Sequence, residues 1–433
     1  MTDNHWWCFP NWFMDKPILQ KIPVAELKLG MFLHELCGAW LDHPFWKTRF
    51  VLNRPADLAK LRDSGITHCW IDAAKSLGQA TENTREAPAQ PSTPSAAGVA
   101  PTLVSPPAPM ATSMEEELRR ATAVMRKSRQ AVRALFTEAR MGRALDIEKC
   151  MPMVDDIAAS VWRNPGAIIT LARLKTHDDY TYIHSVAVCA LMVALARQLG
   201  HDDGQVRAAG MAGLLHDIGK ACLPIELLNK PGKLSSDEYR LMQEHPQRGH
   251  HLLSESGTAG ALVMDVCLHH HERPDGKGYP HGLAGSDLSL PARMGAVCDV
   301  YDAITSNRPY KIGWDPGESL SRMAQWVKNG QFDDAVFQAF AKSLGIYPVG
   351  TLVRLQSGRL GVVVSQDPDA LLTPTVKVFF STRSEVHIPP EVVDLAHANC
   401  SDRIVGREPN DKWKFRHIDE LWAGANVLHM NAR

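Results

Sequence analysis

The chain has few cysteines, and none of them forms a recognisable pair. Nine occur among its 433 residues, and no two are spaced as C-x-x-C. This pattern argues against a disulfide-stapled secreted scaffold and is typical of the reducing cytoplasm, where thiols stay free and mostly buried. We therefore expect a cytoplasmic protein. The cysteines are Cys8, Cys37, Cys69, Cys150, Cys189, Cys222, Cys267, Cys298 and Cys400.

The chain also lacks an excess of charge of either sign. Its formal net charge at pH 7 is −1, so there is no global basic surface for nucleic acid or for an anionic membrane. We expect no nucleic-acid partner. An anionic ligand would have to be met by a local cluster of cations.

No apolar run is long enough to cross a membrane. The longest, VAVCALMVALA from Val186 to Ala196, is well short of the roughly 20 residues that a span needs. The N-terminal sequence MTDNHWWCFPNWFMDKP has aromatic residues but no cationic segment leading into an apolar one, so it does not have the form of a secretory signal. We expect no membrane insertion.

The first part of the chain predicts a small domain and a linker. Residues 1–77 predict an α+β domain in which a strand is followed by a helix, opened by Asn53 and Pro55, and by a second strand. This region shows no acid/base or metal constellation, so we assign it to regulation, docking or dimer support. Residues 78–112 are rich in Pro, Ala, Ser and Thr, which cannot build a core, and predict a flexible linker.

The rest of the chain predicts a helical domain followed by a short β unit. Helical patterns dominate residues 113–345, with helices expected around 177–199, 205–218, 236–254, 259–271 and 290–306. In residues 346–433, GTLVRLQSGRLGVVVSQ is two apolar runs joined by Ser357-Gly358, and TVKVFFS adds a third strand. The predicted fold class is mainly α, with an all-helical core, a small α+β N-terminal domain and a short β C-terminal unit.

A long helix is predicted to begin at Ser113, which forms a capping box with Glu116. Its apolar stripe follows alternating steps of three and four residues, which allows two interpretations. The stripe either forms the seam of a homodimer or packs on its own domain; the second is favoured because Ser and Ala make a weak seam. The stripe consists of Leu118, Ala121, Met125, Ser128, Val132, Leu135 and Ala139.

Histidine and aspartate recur through the helical region in separate short motifs. GLLHDIGK places His216 beside Asp217, which alone is weak evidence because a buried histidine bonded to an aspartate is common. His184 lies on an apolar helical stripe, where a buried ring needs partners for its nitrogens. The other candidates are His245 in QEHPQ, His270 and His271 at the end of ALVMDVCLHHHE, and Asp299 with Asp302 in AVCDVYDAIT.

Seven of these residues form a set of imidazole and carboxylate ligands. Such ligands suit iron, manganese or zinc, whereas thiolates would have favoured structural zinc or iron–sulfur. With a bridging water, seven side chains could complete two metal ions, which is the size of a two-metal hydrolytic site. The set is His184, His216, Asp217, His245, His270, His271 and Asp299.

The order of these motifs resembles the HD-GYP family, the phosphodiesterases of cyclic di-GMP within the HD metallohydrolase superfamily. The likeness runs from about residue 175 to 312 through HDIGK, HP, HHERPDGKGYP and DVYDAITSNRPYK. The segment IPVAELKLGMFLHELCGAWLDHPF also resembles the small domain that often precedes such cores. The resemblance implies an HD-type helical fold, cyclic di-GMP as the substrate, and a role in lowering the level of a second messenger.

The resemblance also implies a role for each motif residue. The seven residues of the set would be the metal ligands, and Asp217 and Lys220 would be catalytic, with Lys220 facing the scissile phosphate. Arg308 and Lys311 would hold the phosphates of the ligand. We place Tyr279 and Asp302 in the substrate-binding set, Tyr279 as a pocket wall or as a contact for a partner.

Two of the three consecutive histidines are expected to bind metal. Aligned on HHERPDGKGYP, the family pair is His270-His271, so His269 is extra and predicted to be dispensable for metal. Asp275, Gly276 and Gly278 predict a sharp turn that uses positive φ angles and returns the Tyr279-Pro280 loop to the site.

The resemblance bears on the number of metal ions as well. Family members with three metals carry an acidic residue four positions before the first histidine, and here that residue is Tyr180. Asp178 and Asp179 lie at offsets that share a helical face with His184 less well. We expect two divalent ions, iron or manganese, with zinc, nickel or magnesium as alternatives acquired on purification.

The predicted reaction is hydrolysis of cyclic di-GMP to linear pGpG, with cleavage of the second diester giving GMP. One alternative is an HD hydrolase of another nucleotide, although such enzymes lack HHERPDGKGYP and RPYK. Another is a non-catalytic receptor that binds cyclic di-GMP and docks a diguanylate cyclase through the GYP loop. An intact ligand set argues against a pure receptor.

Overall fold

The computed structural model describes residues 19–37, 50–63, 66–73, 112–174, 180–230, 232–307, 313–367, 370–415 and 418–424. The chain divides into two units, Met1–Pro107 and Ala108–Arg433. Of the predicted linker, only Thr112 belongs to the described residues.

The first unit contains a four-stranded antiparallel sheet with the strand order β1-β4-β2-β3. Its elements are β1 (Leu19–Pro23), β2 (Phe32–Cys37), β3 (Phe50–Val51), α1 (Pro55–Asp63) and β4 (His68–Asp72). Helix α1 begins at Pro55, where a missing N–H costs nothing because that group would have no helical partner. Leu27, Leu33, Leu52 and Leu61 are buried and form the centre of its core. The α+β prediction is confirmed.

Helices make up most of the second unit, as predicted. The predicted helices around 177–199, 205–218, 259–271 and 290–306 correspond to α5, α6, α10 and α11. The helices are α2 (Met114–Arg140), α3 (Met151–Arg163), α4 (Pro165–Ala172), α5 (Tyr180–Gln198), α6 (Asp203–Leu215), α7 (Ile225–Leu228), α8 (Ser236–Met242), α9 (His245–Ser256), α10 (Ala261–His269), α11 (Leu290–Thr305), α12 (Pro316–Lys328) and α13 (Asp334–Leu344), with two short helices, α14 (Asn410–Trp413) and α15 (Glu420–Ala423), near the C-terminus.

The single helix predicted over residues 236–254 is wrong, because the structure has two helices there. Helix α8 ends at Met242 and α9 begins at His245. Pro246 explains the break, since its ring lacks the N–H that a continuing helix would need, whereas the first turn of a new helix tolerates it. His245 is consequently the first residue of a helix.

Helix α2 packs against its own unit. The Oγ of Ser113 accepts a hydrogen bond from the backbone N–H of Glu116 at 3.3 Å. The helix contacts α3, α4 and α5, and all seven residues of its apolar stripe are buried there. This burial agrees with the second interpretation, in which the stripe packs on its own domain.

Helix α5 lies at the centre of the helical region. Every residue from Ile183 to Ala196 is buried, as expected for a helix that is apolar on all sides. By length and composition α5 could cross a membrane, but 78% of its most apolar window is buried inside the fold. Its apolar character is thus accounted for by packing within the unit.

A five-stranded antiparallel sheet follows the helices, with the order β8-β7-β6-β5-β9. The strands are β5 (Leu352–Leu355), β6 (Arg359–Ser365), β7 (Thr375–Ser381), β8 (Val386–Asp394) and β9 (Ile404–Arg407). The predicted hairpin and third strand are confirmed; β8 and β9 were not predicted. The guanidinium of Arg407 donates to the carbonyls of Ile346 and Gly317, so the sheet is joined to the start of α12.

A buried carboxylate joins α2 to α3. Glu117 is fully buried and accepts hydrogen bonds from the guanidinium of Arg163 at 2.6 and 2.9 Å and from Ser160 at 2.7 Å. Burial alone would raise the pKa of Glu117, but these hydrogen bonds and the charge of Arg163 outweigh it and hold the pKa below its ordinary value of 4.5. The ionised form is therefore the one that the fold stabilises.

We expect a Glu117→Gln substitution to lower the free energy of unfolding at pH 7 by about 2 kcal/mol, because it removes a charged hydrogen-bond acceptor. Since the folded-state pKa lies below the unfolded one, this contribution is present above pH 4.5 and is lost as the pH falls through the folded value. Urea unfolding followed by helical circular dichroism across pH 3–7 would measure it. Glu115→Gln, in an exposed pair with Arg119, is the control and should change stability by less than about 0.5 kcal/mol. A difference between Glu117→Gln and the parent that does not shrink at low pH would contradict the assignment.

Candidate metal centre

Five helices bring the seven predicted ligands together. His184 lies on α5, His216 and Asp217 directly follow α6, and His245 begins α9. The remaining three are His270 and His271 at the end of α10 and Asp299 on α11. Apart from His271, which is partly buried, all of them are buried. Ligands that are far apart in sequence thus share one interior space.

The carboxylate of Asp217 lies between two groups of imidazoles. Its Oδ2 is 3.4 Å from Nε2 of His184 and 3.3 Å from Nε2 of His216. Its Oδ1 is 3.2 Å from Nε2 of His245 and 3.8 Å from Nε2 of His270. Each oxygen therefore faces a different pair of rings, which is the arrangement of a carboxylate that bridges two cations.

Asp299 lies on the opposite side of the same space. Its Oδ1 is 3.0 Å from Nε2 of His184 and 3.9 Å from Nε2 of His216, and its Oδ2 is 3.8 Å from Nδ1 of His271. Two groups of ligand atoms, each able to hold one ion, result among the described residues. They are Asp217, His245, His270 and His271 in one, and His184, His216 and Asp299 in the other.

Hydrogen bonds orient four of the rings. Nδ1 of His216 lies 2.7 Å from the carbonyl of Gly213, and Nδ1 of His245 lies 2.7 Å from that of Met242. Nδ1 of His270 lies 3.1 Å from the carbonyl of Val266. A carbonyl only accepts, so each Nδ1 carries the proton and each Nε2 presents its lone pair to the centre.

The fourth ring is oriented by a carboxylate. Nδ1 of His184 lies 2.6 Å from Oδ2 of Asp302, which is the carboxylate–histidine pairing found behind many metal ligands. Burial alone would lower the pKa of His184, but its hydrogen bonds to Asp217, Asp299 and Asp302 raise the pKa to about 10. The ring therefore faces negative charge at both nitrogens, and a cation at Nε2 can replace the second proton.

Four other titratable groups of the centre have shifted pKa values. Burial and the neighbouring rings lower the pKa of His270 well below its ordinary value, and burial with the charge of His245 lowers that of His271 to about 3. Burial would raise the pKa of both carboxylates. Lys220 with His216 and His184 nevertheless holds the pKa of Asp217 well below the ordinary value, and His184 with His271 and His216 does the same for Asp299. His270 and His271 are thus neutral rings beside two ionised carboxylates.

Two buried polar atoms of this centre lack a hydrogen-bond partner among the described residues. They are Nε2 of His216 and Oδ1 of Asp217. Leaving such atoms unsatisfied in the interior costs about 1–3 kcal/mol each. Both face the space between the ligands, so the residues present fit a pair of cations.

Two glycines let the segments of the centre approach closely. The turn of 3-10 helix at Ile218–Cys222 crosses α9 with Gly219 against Gly249. A Cβ at Gly219 would lie 1.9 Å from the carbonyl oxygen of His245 and 2.5 Å from the nitrogen of Gly249. Any larger residue would push His245 away from Asp217.

The loop after α10 covers one side of the centre. The ring of Tyr279 stacks on His271 with centroids 4.6 Å apart and an interplanar angle of 28°. Gly276 has a φ of 71°, as expected for the turn. Gly278, however, is not among the residues with positive φ, and its role is close approach, since a Cβ there would lie 2.4 Å from Cα of Glu272.

Lys220 is the cation next to the ligands. Its Nζ lies 2.5 Å from Oδ2 of Asp217. His269 belongs to neither ligand group. The predicted phosphate contacts Arg308 and Lys311, as well as Asp178 and Asp179, lie outside the described residues.

Two features of the site were not recognised from the sequence. The carboxylate of Asp302, which we also predict to contact the substrate, lies against Nδ1 of His184 and accepts a hydrogen bond from Ser306. Glu272 was not singled out, yet it is 1% exposed and accepts hydrogen bonds from the backbone N–H groups of His281 and Leu283. Its acidic side chain directly after two predicted ligands was the available signal.

Family models match two parts of the chain. Residues 161–336 match the model described as "HD domain". Residues 19–150 match the model described as "Domain of unknown function (DUF3391)".

Curated relatives extend these matches. The cyclic di-GMP phosphodiesterase PA4108 of Pseudomonas aeruginosa is 55% identical over 94% of this chain and 96% of its own. The cyclic di-GMP phosphodiesterase response regulator RpfG of Xanthomonas campestris is 41% identical over 38% of this chain and 44% of its own. The 3'3'-cGAMP-specific phosphodiesterase 1 of Vibrio cholerae is 37% identical over 38% of each chain. On the similarity that spans nearly the whole length, the chain belongs to the HD-GYP-type family of cyclic di-GMP phosphodiesterases and carries a domain of the DUF3391 family before its catalytic core.

Proposed function

We propose that this enzyme hydrolyses one phosphodiester of cyclic di-GMP to give linear pGpG, with two divalent ions held between α5, α6, α9, α10 and α11. The observation that carries the proposal is the buried Asp217 carboxylate, whose two oxygens face two separate groups of imidazoles. The near full-length similarity to a cyclic di-GMP phosphodiesterase supports the substrate.

The ligand atoms determine which ions fit. His184, His216 and Asp299 would hold one ion, and His245, His270 and His271 the other, with Asp217 between them. Imidazole and carboxylate donors without thiolates suit iron or manganese, the ions that we propose, and also zinc, nickel or magnesium as ions acquired on purification. When bound, such a pair lowers the pKa of water to near neutrality and stabilises negative charge on phosphoryl oxygens.

Lys220 supplies a further positive charge at the same place. Its ammonium already lies against Asp217, and its side chain is 22% exposed, so it can turn toward an incoming phosphate. A compact charge in a partly desolvated site stabilises the additional charge that develops on phosphorus oxygens during in-line attack. We assign it this role, and Asp217 the role of holding both ions.

Tyr279 would form the wall against which the substrate lies. Its ring stacks on the ligand His271 and therefore borders the metal centre directly. A flat aromatic face suits a guanine base. Arg308 and Lys311 would bind the phosphate that is not cleaved, as the family motif implies.

Two further elements of the proposal concern specificity and partners. One relative is named as specific for 3'3'-cGAMP, so discrimination between cyclic dinucleotides belongs in the first assay. We also propose a cytoplasmic location, and a diguanylate cyclase domain as a protein that could dock on the Tyr279 loop.

The reaction and the role of Lys220 can be tested together. Purified, metal-defined protein incubated with cyclic di-GMP should give pGpG first, with GMP only later, as separated by chromatography over time. We expect Lys220→Met to keep both ions but lower kcat by about 10²–10³-fold, because one charge at the transition state is lost. Asp217→Ala should lose both the ions and turnover.

Three results would contradict this assignment. Binding of cyclic di-GMP without turnover by protein loaded with ferrous or manganous ion would favour a receptor. Faster turnover of 3'3'-cGAMP would assign a different substrate to the same centre. Near-normal turnover by Asp217→Ala with normal metal content would refute the ligand assignment.

Asp302 is expected to act through His184. In Asp302→Asn the amide can present an N–H to Nδ1 and favour the tautomer whose proton lies on Nε2, so metal affinity should fall by about 10–100-fold. Titration of metal-free protein with manganous ion would measure it. Ser306→Ala is the matched control, because Ser306 contacts the other oxygen of Asp302; an equal loss in both variants would argue against the pairing.

The expected number of ions depends on Tyr180, which lies four residues before the first ligand, His184. Tyr180 stacks on His184, with ring centroids 5.9 Å apart, at the position where a third ion would need a carboxylate. We expect two ions per chain in elemental analysis of protein purified anaerobically. A reproducible stoichiometry near three would overturn this prediction.

A further inference from the structure

The first of the three consecutive histidines is part of a chain of hydrogen bonds outside the metal centre. Nδ1 of His269 lies 2.8 Å from Oδ1 of Asp265, and its Nε2 lies 3.2 Å from Nδ1 of His281. A carboxylate only accepts, so Nδ1 of His269 is the donor there, and its Nε2 accepts from Nδ1 of His281. The order of donation is His281 to His269 to Asp265.

Asp265 is anchored at its other oxygen. Oδ2 accepts a hydrogen bond from the hydroxyl of Ser289, the residue that caps the start of α11. The carboxylate therefore joins α10 to α11, the helix that carries Asp299. The orientation of the His269 ring is tied to the frame of the metal centre.

The residues just after α10 bind every second residue of the Tyr279 loop. The N–H of Tyr279 donates to the carbonyl of His271 at 3.2 Å. The N–H groups of His281 and Leu283 donate to the two oxygens of Glu272 at 2.6 and 3.0 Å. The ring of His281 adds a side-chain contact to this series, two residues beyond Tyr279.

We propose that His269 and Asp265 are positioning residues which, through His281, set the place of the Tyr279 wall relative to the metal centre. The inference rests on the proposed function, because the wall matters only if substrate lies against it. His269 thus holds the loop while His270 and His271 face the ions. We call the hydrogen-bonded chain His281–His269–Asp265 the brace. Substrate alignment is sensitive to displacements of about 1 Å, so loss of the brace should affect substrate binding without altering the metal ligands.

The brace itself can be tested by amide hydrogen exchange. His269→Phe keeps a ring of similar size but removes both hydrogen bonds, whereas His269→Gln retains a side-chain acceptor for His281. We expect exchange in a peptide covering residues 277–285 to be about fivefold faster in His269→Phe and close to the parent in His269→Gln, with α11 unchanged. Unchanged exchange of this peptide in His269→Phe would overturn the proposal.

The consequence for substrate can be tested by kinetics with metal analysis. His269→Phe and Asp265→Asn should raise KM for cyclic di-GMP about fivefold, with kcat within about twofold and the ion content unchanged. His281→Ala should do the same and, because His281 is exposed, does not put the core at risk. The control is His251→Ala on α9, an exposed histidine beside Glu255, which should change neither parameter.

Two outcomes of the kinetic and metal measurements would overturn the positioning role. A loss of metal content in His269→Phe and His281→Ala would make the histidine pair a support of the ligands instead. A fall in kcat at unchanged KM would separate the pair from substrate binding. If the parent protein does not hydrolyse cyclic di-GMP, the proposed function fails, while the exchange measurement still decides whether the brace exists.

Discussion

Burial of two carboxylates among five imidazoles is the constraint that shapes the catalytic unit. Asp217 is 1% and Asp299 7% exposed, and buried charge is stable only when it is paired with opposite charge and satisfied hydrogen bonds. Groups at and near the helix ends around the centre supply these partners. Backbone carbonyls at the ends of α6, α8 and α10 fix the imidazole protons on the outer nitrogens, and Lys220 offsets part of the negative charge. Gly219 and Gly249 have no side chains, which allows the Ile218–Cys222 turn to pack closely against α9.

The two histidine and aspartate clusters and the mainly α fold could be predicted because both depend on patterns among residues that are close together in the sequence. His216-Asp217, His270-His271 and the Asp299 helix each carry a recognisable local motif, and metal chemistry restricts the residue types that can converge. The helical spans were predictable for the same reason, since α5 and α11 have continuous apolar patterns. The hairpin of β5 and β6 was marked by its Ser357-Gly358 turn.

What could not be predicted depends on contacts between distant segments. The break between α8 and α9 was missed because the helical pattern continues on both sides of Pro246. Asp302 follows Asp299 on the same helix, so spacing alone could not show that its carboxylate lies against Nδ1 of His184. The close approach at Gly278 and the buried position of Glu272 exist only after the loop has folded against α10. Strand β8 is largely exposed and β9 has no fully buried residue, so both lack the apolar alternation by which a strand is recognised.

His271 connects the metal centre to the Tyr279 wall through both its ring and its backbone carbonyl. Its ring belongs to the ligand group of one ion, the same ring stacks on Tyr279, and its carbonyl accepts from the Tyr279 amide. If the ring shifts when an ion binds, the wall shifts with it, so the two binding equilibria are linked. Linkage is reciprocal: to the extent that ions favour the wall position that a cyclic dinucleotide selects, the dinucleotide must tighten the hold on the ions by the same factor. The concentration of the cyclic dinucleotide would then influence how fully the metal centre is occupied.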